Sequence, residues 1–206
     1  MYILKQVESF LIIRMPEGVR VGMGLSVNKN KINVRMRLIM NDLTSEKKEI
    51  LNALLIGTSF RIFTFHTHFE LRFFRSIDNF AMYKEYELPR AILLSIRTDW
   101  WFGDKKEWNE KVYSYTKGLN LVEPDEPVLC FELAALVWSY DSEVVSVEID
   151  SNTFTINFKC GKSMTILNHT DMDYAWDIIE TYPSNIWSVV CEDEKLYICY
   201  PNNKLF

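Results

Sequence analysis

Residues 144–167 read VVSVEIDSNTFTINFKCGKSMTIL. Phe154, Ile156 and Phe158 alternate with Thr155 and Asn157, the period of two of a half-buried strand. Asp150-Ser151-Asn152 and Gly161-Lys162 supply the residue types that turn a chain back on itself. The pattern predicts a hairpin over 144–149 and 153–160, with a further strand over 163–167. Upstream, Asp125 as cap and Pro127 in the first turn open a predicted helix. Downstream, Asp171 and Asp173 precede Tyr174, Trp176 and Ile178, and 186–192 with 195–199 form a last predicted hairpin about Asp193-Glu194.

The same order stands earlier in the chain. Leu51-Asn52-Ala53-Leu54-Leu55 matches Leu133-Ala134-Ala135-Leu136-Val137 at an offset of 82, which also sets 62–65 against 144–147. Past the longer turn at 150–152 the offset becomes 85, and Phe69-Glu70-Leu71-Arg72-Phe73 faces Phe154-Thr155-Ile156-Asn157-Phe158. Each copy reads as helix, hairpin, further strand, which points to two related modules. Their expected extents are 1–118 and 125–206, joined where Gly118, Asn120, Pro124 and Pro127 cluster, a composition typical of linkers. In the first copy Thr44 or Ser45 can cap a helix that Gly57 closes. Its Ile50, Leu51, Leu54 and Leu55 share one face, which reads as core. Strands are expected over 60–65, 69–74, 80–83 and 91–97, with a turn near Thr67. Before them, 2–14, 19–27 and 32–40 read as an antiparallel meander, and Arg35 and Arg37 lie on the wet face of its last strand. The expected fold class is α+β, antiparallel sheets with a few short helices.

Composition excludes several classes. With 48% hydrophobic and 25% charged residues over 206 positions, the chain is neither disordered, collagen-like nor a disulfide-stapled miniprotein. Apolar runs such as 10–13 and 134–138 fall far short of the roughly 20 residues that span a bilayer. No signal-peptide core stands at the N-terminus, so a cytoplasmic protein without membrane contact is expected. Cys130, Cys160, Cys191 and Cys199 form no C-x-x-C pair and have no histidine near them in sequence. Zinc spacing is absent, and all four read as buried thiols. Charge is unevenly spread. Residues 1–120 carry 19 basic and 13 acidic side chains, a net +6, and residues 121–206 carry 4 and 15, a net −11. The acidic half argues against nucleic acid and for a basic ligand.

A family resemblance adds to this. VVSVEIDSNTFTINFKCGKSMTIL followed by YAWDI (174–178), and LLIGTSFRIFTF (54–65) with RAILLSIRTDWWF (90–102), resemble small bacterial α+β proteins found beside polymorphic toxins, many of them immunity proteins. The matching stretches cover about half of the chain. The resemblance implies a non-enzymatic protein that binds and neutralises a toxin, and it supplies no catalytic residues.

The residues themselves offer little catalytic chemistry. His66-x-His68 places two imidazoles on one strand face, with Glu70 or distant His169 as the remaining candidates for ligands, but both histidines fall at the predicted turn. Asp171-x-Asp173 lacks the glycine and later glutamate of a calcium loop. Gly22-x-Gly24 lacks the third glycine of a dinucleotide site, and no G-x-S-x-G or P-loop occurs. No cofactor and no metal are expected. Trp100 and Trp101, set among Asp104, Lys105 and Lys106, read as incompletely buried anchors of the kind enriched in interface hot spots. The expected partner-binding residues are therefore Asp171, Asp173, Tyr174, Glu192, Asp193, Glu194, Trp100 and Trp101. The expected function is an immunity protein that blocks a basic toxin domain by stoichiometric binding, not an enzyme. Alternatives are a small hydrolase or nucleotide-modifying enzyme whose site assembles only in the fold, and an oligomeric adaptor.

Overall fold

The computed structural model describes residues 10–11, 23–24, 45–76, 88–182 and 187–200. The chain divides into two compact units, 1–34 and 35–206. In the first unit, β1 (Phe10–Leu11) and β2 (Met23–Gly24) pair antiparallel, Phe10 opposite Gly24. The strands expected over 32–40 and 80–83 lie outside the described residues.

In the second unit the class is α+β. Its described residues form ten strands in two antiparallel sheets, with three helices. The first pass along the chain runs α1 (Ser45–Leu55), β3 (Thr58–Phe65), β4 (Phe69–Arg75), β5 (Ala91–Ile96) and β6 (Trp100–Phe102). After α2 (Lys105–Thr116), a second pass runs α3 (Asp125–Val137), β7 (Val144–Ile149), β8 (Thr153–Phe158), β9 (Ser163–Leu167) and β10 (Trp176–Tyr182). A final hairpin, β11 (Ser188–Glu192) and β12 (Lys195–Cys199), completes it.

The last strand of each pass joins the other pass's sheet. The six-stranded sheet runs β12-β11-β10-β5-β4-β3, and the four-stranded sheet runs β6-β9-β8-β7. Trp176 of β10 stands opposite Ile96 of β5, and Trp100 of β6 stands opposite Ile166 of β9. The connecting segments are tied in the same way. Arg97 N–H donates to Ala175 O at 2.8 Å, and Leu167 N–H donates to Asp99 O at 3.0 Å. Strands from both sides of the 118–125 junction thus share each sheet. The register also moves the sequence match. Phe60 opposite Phe73 and Val144 opposite Phe158 give the first strands an offset of 84, two more than the helices, with a bulge after each. The two extra residues lie between α3 and β7.

Alternation decides which faces meet. Phe69, Leu71 and Phe73 of β4, Leu94 and Ile96 of β5, Trp176 and Ile178 of β10, and Phe154, Ile156 and Phe158 of β8 are all buried in one apolar cluster. Phe69 packs edge-on to Trp100 with ring centroids 5.1 Å apart, and Phe154 stacks on Trp176 at 4.6 Å. Each pair bridges the two sheets. Asn168 locks the second pair. Its Oδ1 accepts from Trp176 Nε1 at 2.9 Å and its Nδ2 donates to Asp150 O at 2.9 Å.

The helices are held at their ends. Arg75 guanidinium nitrogens donate to the carbonyls of Ala53, Leu54 and Ile56, acceptors that a helix C-terminus leaves open. Gly57, φ +77°, follows that end. Asp104 Oδ1 accepts from Lys106 N and Glu107 N, so Asp104 caps α2 and Lys105 and Lys106 open its first turn. Asp125 is not a cap but the first residue of α3, which follows Pro124 without a side-chain cap. Glu132 of α3 is buried and paired with both Lys111 of α2 and Lys162 of the β8–β9 turn. That pairing holds its carboxyl below the usual range against the opposing effect of burial. Cys191 and Cys199 are buried, but Cys160 is exposed because it sits in the β8–β9 turn rather than in a strand. Among the described residues no helix is long and apolar enough to cross a membrane.

Candidate functional site

The crossing of the two passes leaves a cleft of about 490 Å³, within the range of ligand pockets. Its walls come from the β3–β4 turn, both connecting segments and the start of α3. Five carboxylates line it, from Asp99, Glu123, Asp125, Glu126 and Asp171, together with Arg97, His68 and His169. None of the five carboxylates forms an ion pair among the described residues. The walls are braced by hydrogen bonds between the segments. Thr98 Oγ1 donates to His169 O at 2.6 Å, and Thr170 Oγ1 donates to Arg97 O at 3.1 Å.

Beside the cleft the acidic surface continues. Asp171, Met172 and Asp173 are exposed, and Tyr174 is half-buried. The end of β11 and the turn after it carry Glu192, Asp193 and Glu194 to the same end of the sheet, because Cys191 pairs with Trp176 and its carbonyl accepts from Ala175 N–H at 2.8 Å. Burial, then the charges of Asp193 and Asp173, push the Glu192 carboxyl up. Six of the eight expected partner-binding residues therefore lie together.

Trp101 does not join them, and Trp100 reaches them only as a buried part of the cleft wall that it shares with Asp171. Trp100 and Trp101 are 4% and 9% exposed, so the expectation of incompletely buried anchors is corrected. Trp100 sits against Phe69 and Phe102, and the Lys105 ammonium covers the Trp101 ring at 4.1 Å. The charges around them in sequence sit on α2 and at its cap, outside the rings.

On the far face of the six-stranded sheet from the apolar cluster, Glu70, Ser95 and Asp177 stand in register across β4, β5 and β10. Burial pushes the Asp177 carboxyl above its ordinary range, against hydrogen bonds from Ser95 and Tyr174 and the charges of Arg97 and His68. Its Oδ1 has no hydrogen-bond partner among the described residues. Arg97 guanidinium lies over the Tyr174 ring at 4.4 Å. The Tyr174 hydroxyl is pushed up to about 12, first by burial and then by the Asp177 charge.

His66 and His68 lie in the β3–β4 turn, where His66 N–H donates to His68 O at 3.2 Å. His68 Nε2 is 3.7 Å from Glu70 Oε1. Among the described residues no group of three His, Cys, Asp or Glu side chains could hold a metal ion. Asp99, Glu123, Asp125, Glu126 and His169 were not among the expected contact residues. They come from separate segments, and only the acidic start of α3 carries a local signal, two carboxylates at the positive end of a helix. No family model matches the sequence, and no curated protein or solved structure matches it either.

Proposed function

We propose that this protein is a stoichiometric binder of a basic protein, an immunity-type inhibitor that neutralises a basic effector such as a nuclease. The observation that carries the reading is the cleft with five carboxylates that form no ion pair among the described residues, continued by the ridge of Asp173 and Glu192–194. Such a surface gains when Lys or Arg side chains enter it, and complementary charge speeds encounter with a basic partner. The residues 121–206 that supply most of it carry a net −11.

The test is co-purification with the native partner at low and high salt, followed by reconstitution from purified components. A 1:1 complex that weakens as salt rises is expected, since exposed charges are screened beyond about 8–10 Å near physiological ionic strength. Reversing Asp99, Asp171, Asp173 and Glu192 to Lys together should slow association by about tenfold or more. Unchanged affinity in that variant would sink the proposal.

A second reading rests on one observation. His68 and His169 line the same cleft as Asp99 and Asp171, a set from which a hydrolase or nucleotide-modifying enzyme could draw an acid and a base. Turnover of a small substrate that is lost in both His68→Ala and His169→Ala would favour it over the binding reading.

A further inference from the structure

Helix α3 is apolar on both of its long faces, and the core covers only one. Val128, Leu129, Leu133 and Leu136 are buried. Pro127, Phe131, Ala135 and Trp138, spaced by four, four and three, face outward and are exposed, Phe131 at 59% and Trp138 at 87%. A helix that is hydrophobic all round is ordinarily covered all round. Its counterpart α1 shows that the fold does not require this. At the offset of 82, Glu49 of α1 stands where Phe131 stands in α3, and both are exposed, while Leu51 and Leu54 match the buried Leu133 and Leu136. The same outward position carries a carboxylate in one helix and a phenyl ring in the other. Tyr115 of α2, itself 62% exposed, extends the patch, with its ring centroid 6.4 Å from Phe131.

Charge decides what this face fits. The helix contains no Lys or Arg, and Asp125 and Glu126 of its first turn line the acidic cleft. A second copy of the chain would bring two surfaces of the acidic half together, and like charges brought together oppose association. We propose that the outward face of α3 is the apolar anchor of the interface and receives an amphipathic helix of the basic partner, whose Lys and Arg side chains reach the carboxylates of the cleft. The proposal rests on the protein-binding reading and adds where the partner's apolar side docks. Aromatic anchors beside a charged rim are the usual arrangement of interface hot spots.

The probe is a synthetic amphipathic Leu/Lys helix, with a Leu/Glu helix as its counterpart, each labelled and titrated with the full chain by fluorescence anisotropy. The Leu/Lys helix should bind at least about tenfold more tightly than the Leu/Glu helix. The double variant Phe131→Glu, Trp138→Glu should lose about tenfold or more in affinity for it, while its circular dichroism and melting temperature stay unchanged. Equal binding of the two peptides, or an unaltered variant, overturns the proposal. Sedimentation showing a wild-type dimer that the variant abolishes overturns it in favour of a second copy. The native partner separates this proposal from the function it rests on. If cleft charge reversal releases that partner and the aromatic variant does not, only the anchor fails. If neither releases it, both fail.

Discussion

The two passes through the fold, α1 to β6 and α3 to β10, use the same element order to different ends. In each, a phenylalanine of the middle strand packs on a tryptophan of the same pass's last strand, which has crossed into the other sheet, Phe69 on Trp100 and Phe154 on Trp176. Trp100 lies on β6, a three-residue strand at a sheet edge, whereas Trp176 lies on β10, between β5 and β11. On the outward side Glu49 of α1 stands where α3 has Phe131, while Ile56 and Trp138, each just past its helix, are both exposed and apolar. The repeated geometry is invested in the core, and the divergence is concentrated on surfaces and in the acidic segments. Strand exchange fixes the scaffold through buried residues, so the outer residues of the second pass can differ from those of the first without disturbing it.

The comparison can be broken outright by separating the passes. Fragments 1–120 and 121–206 each lose the strand that completes their sheet, so each alone should lack a cooperative unfolding transition and near-ultraviolet dichroism. Mixing the two should restore both signals. Next in size is the tryptophan pair. Trp176→Ala removes a fully buried ring that stacks on Phe154 and takes away the donor to Asn168 Oδ1. A loss of about 5 kcal/mol is expected, against about 3 kcal/mol for Trp100→Ala, both read from urea unfolding. Glu132 sharpens the contrast between the helices, because α1 has Ile50 at that position. Glu132→Ala leaves Lys111 and Lys162 facing each other. It should cost about 2 kcal/mol, less than a fully buried pair because both lysines are about a third exposed. The smallest expected effect is a slope. The Asp177 carboxyl is weakened as an acid in the folded state, so the folded chain binds more protons than the unfolded chain above the ordinary value of 3.8. Its contribution to stability therefore declines as pH rises from there through the raised value. Asp177→Asn should remove that decline, so the variant gains on the wild type across the same window in denaturant titrations at successive pH values.

Much of this was legible in the residues. The alternation of Phe154, Ile156 and Phe158 and of Phe69, Leu71 and Phe73 named the buried faces. Gly161, at φ +82°, and the Asp193-Glu194 pair, at φ +48° and +61°, marked real turns. Pairing between distant strands was not legible, because a period of two states which side is wet and not which neighbour lies alongside. Helix α2 escaped because only Trp108 and Val112 of its twelve residues are buried. The signal that could have found it is Asp104 with Glu107 three residues on, the spacing of a capped N-terminus. The acidic segments 171–173 and 192–194 were readable from composition, and the Asp173 charge acting on Glu192 joins them. The cleft was not, since it draws on segments that only the strand exchange brings together.

That exchange also dictates a timetable. Ile96 stands opposite Phe69 on one side but finds its second partner only when Trp176 has been synthesised, so during translation the other edge of β5, AILLSI, waits open. At about 5–20 residues per second the wait lasts several seconds. An apolar strand edge left unpaired for that long is a template for other chains, and contacts so distant in sequence form slowly. The ribosome's progress from residue 96 to residue 176 is thus the interval in which that edge stands open to other chains, and β10 is the element whose arrival ends it.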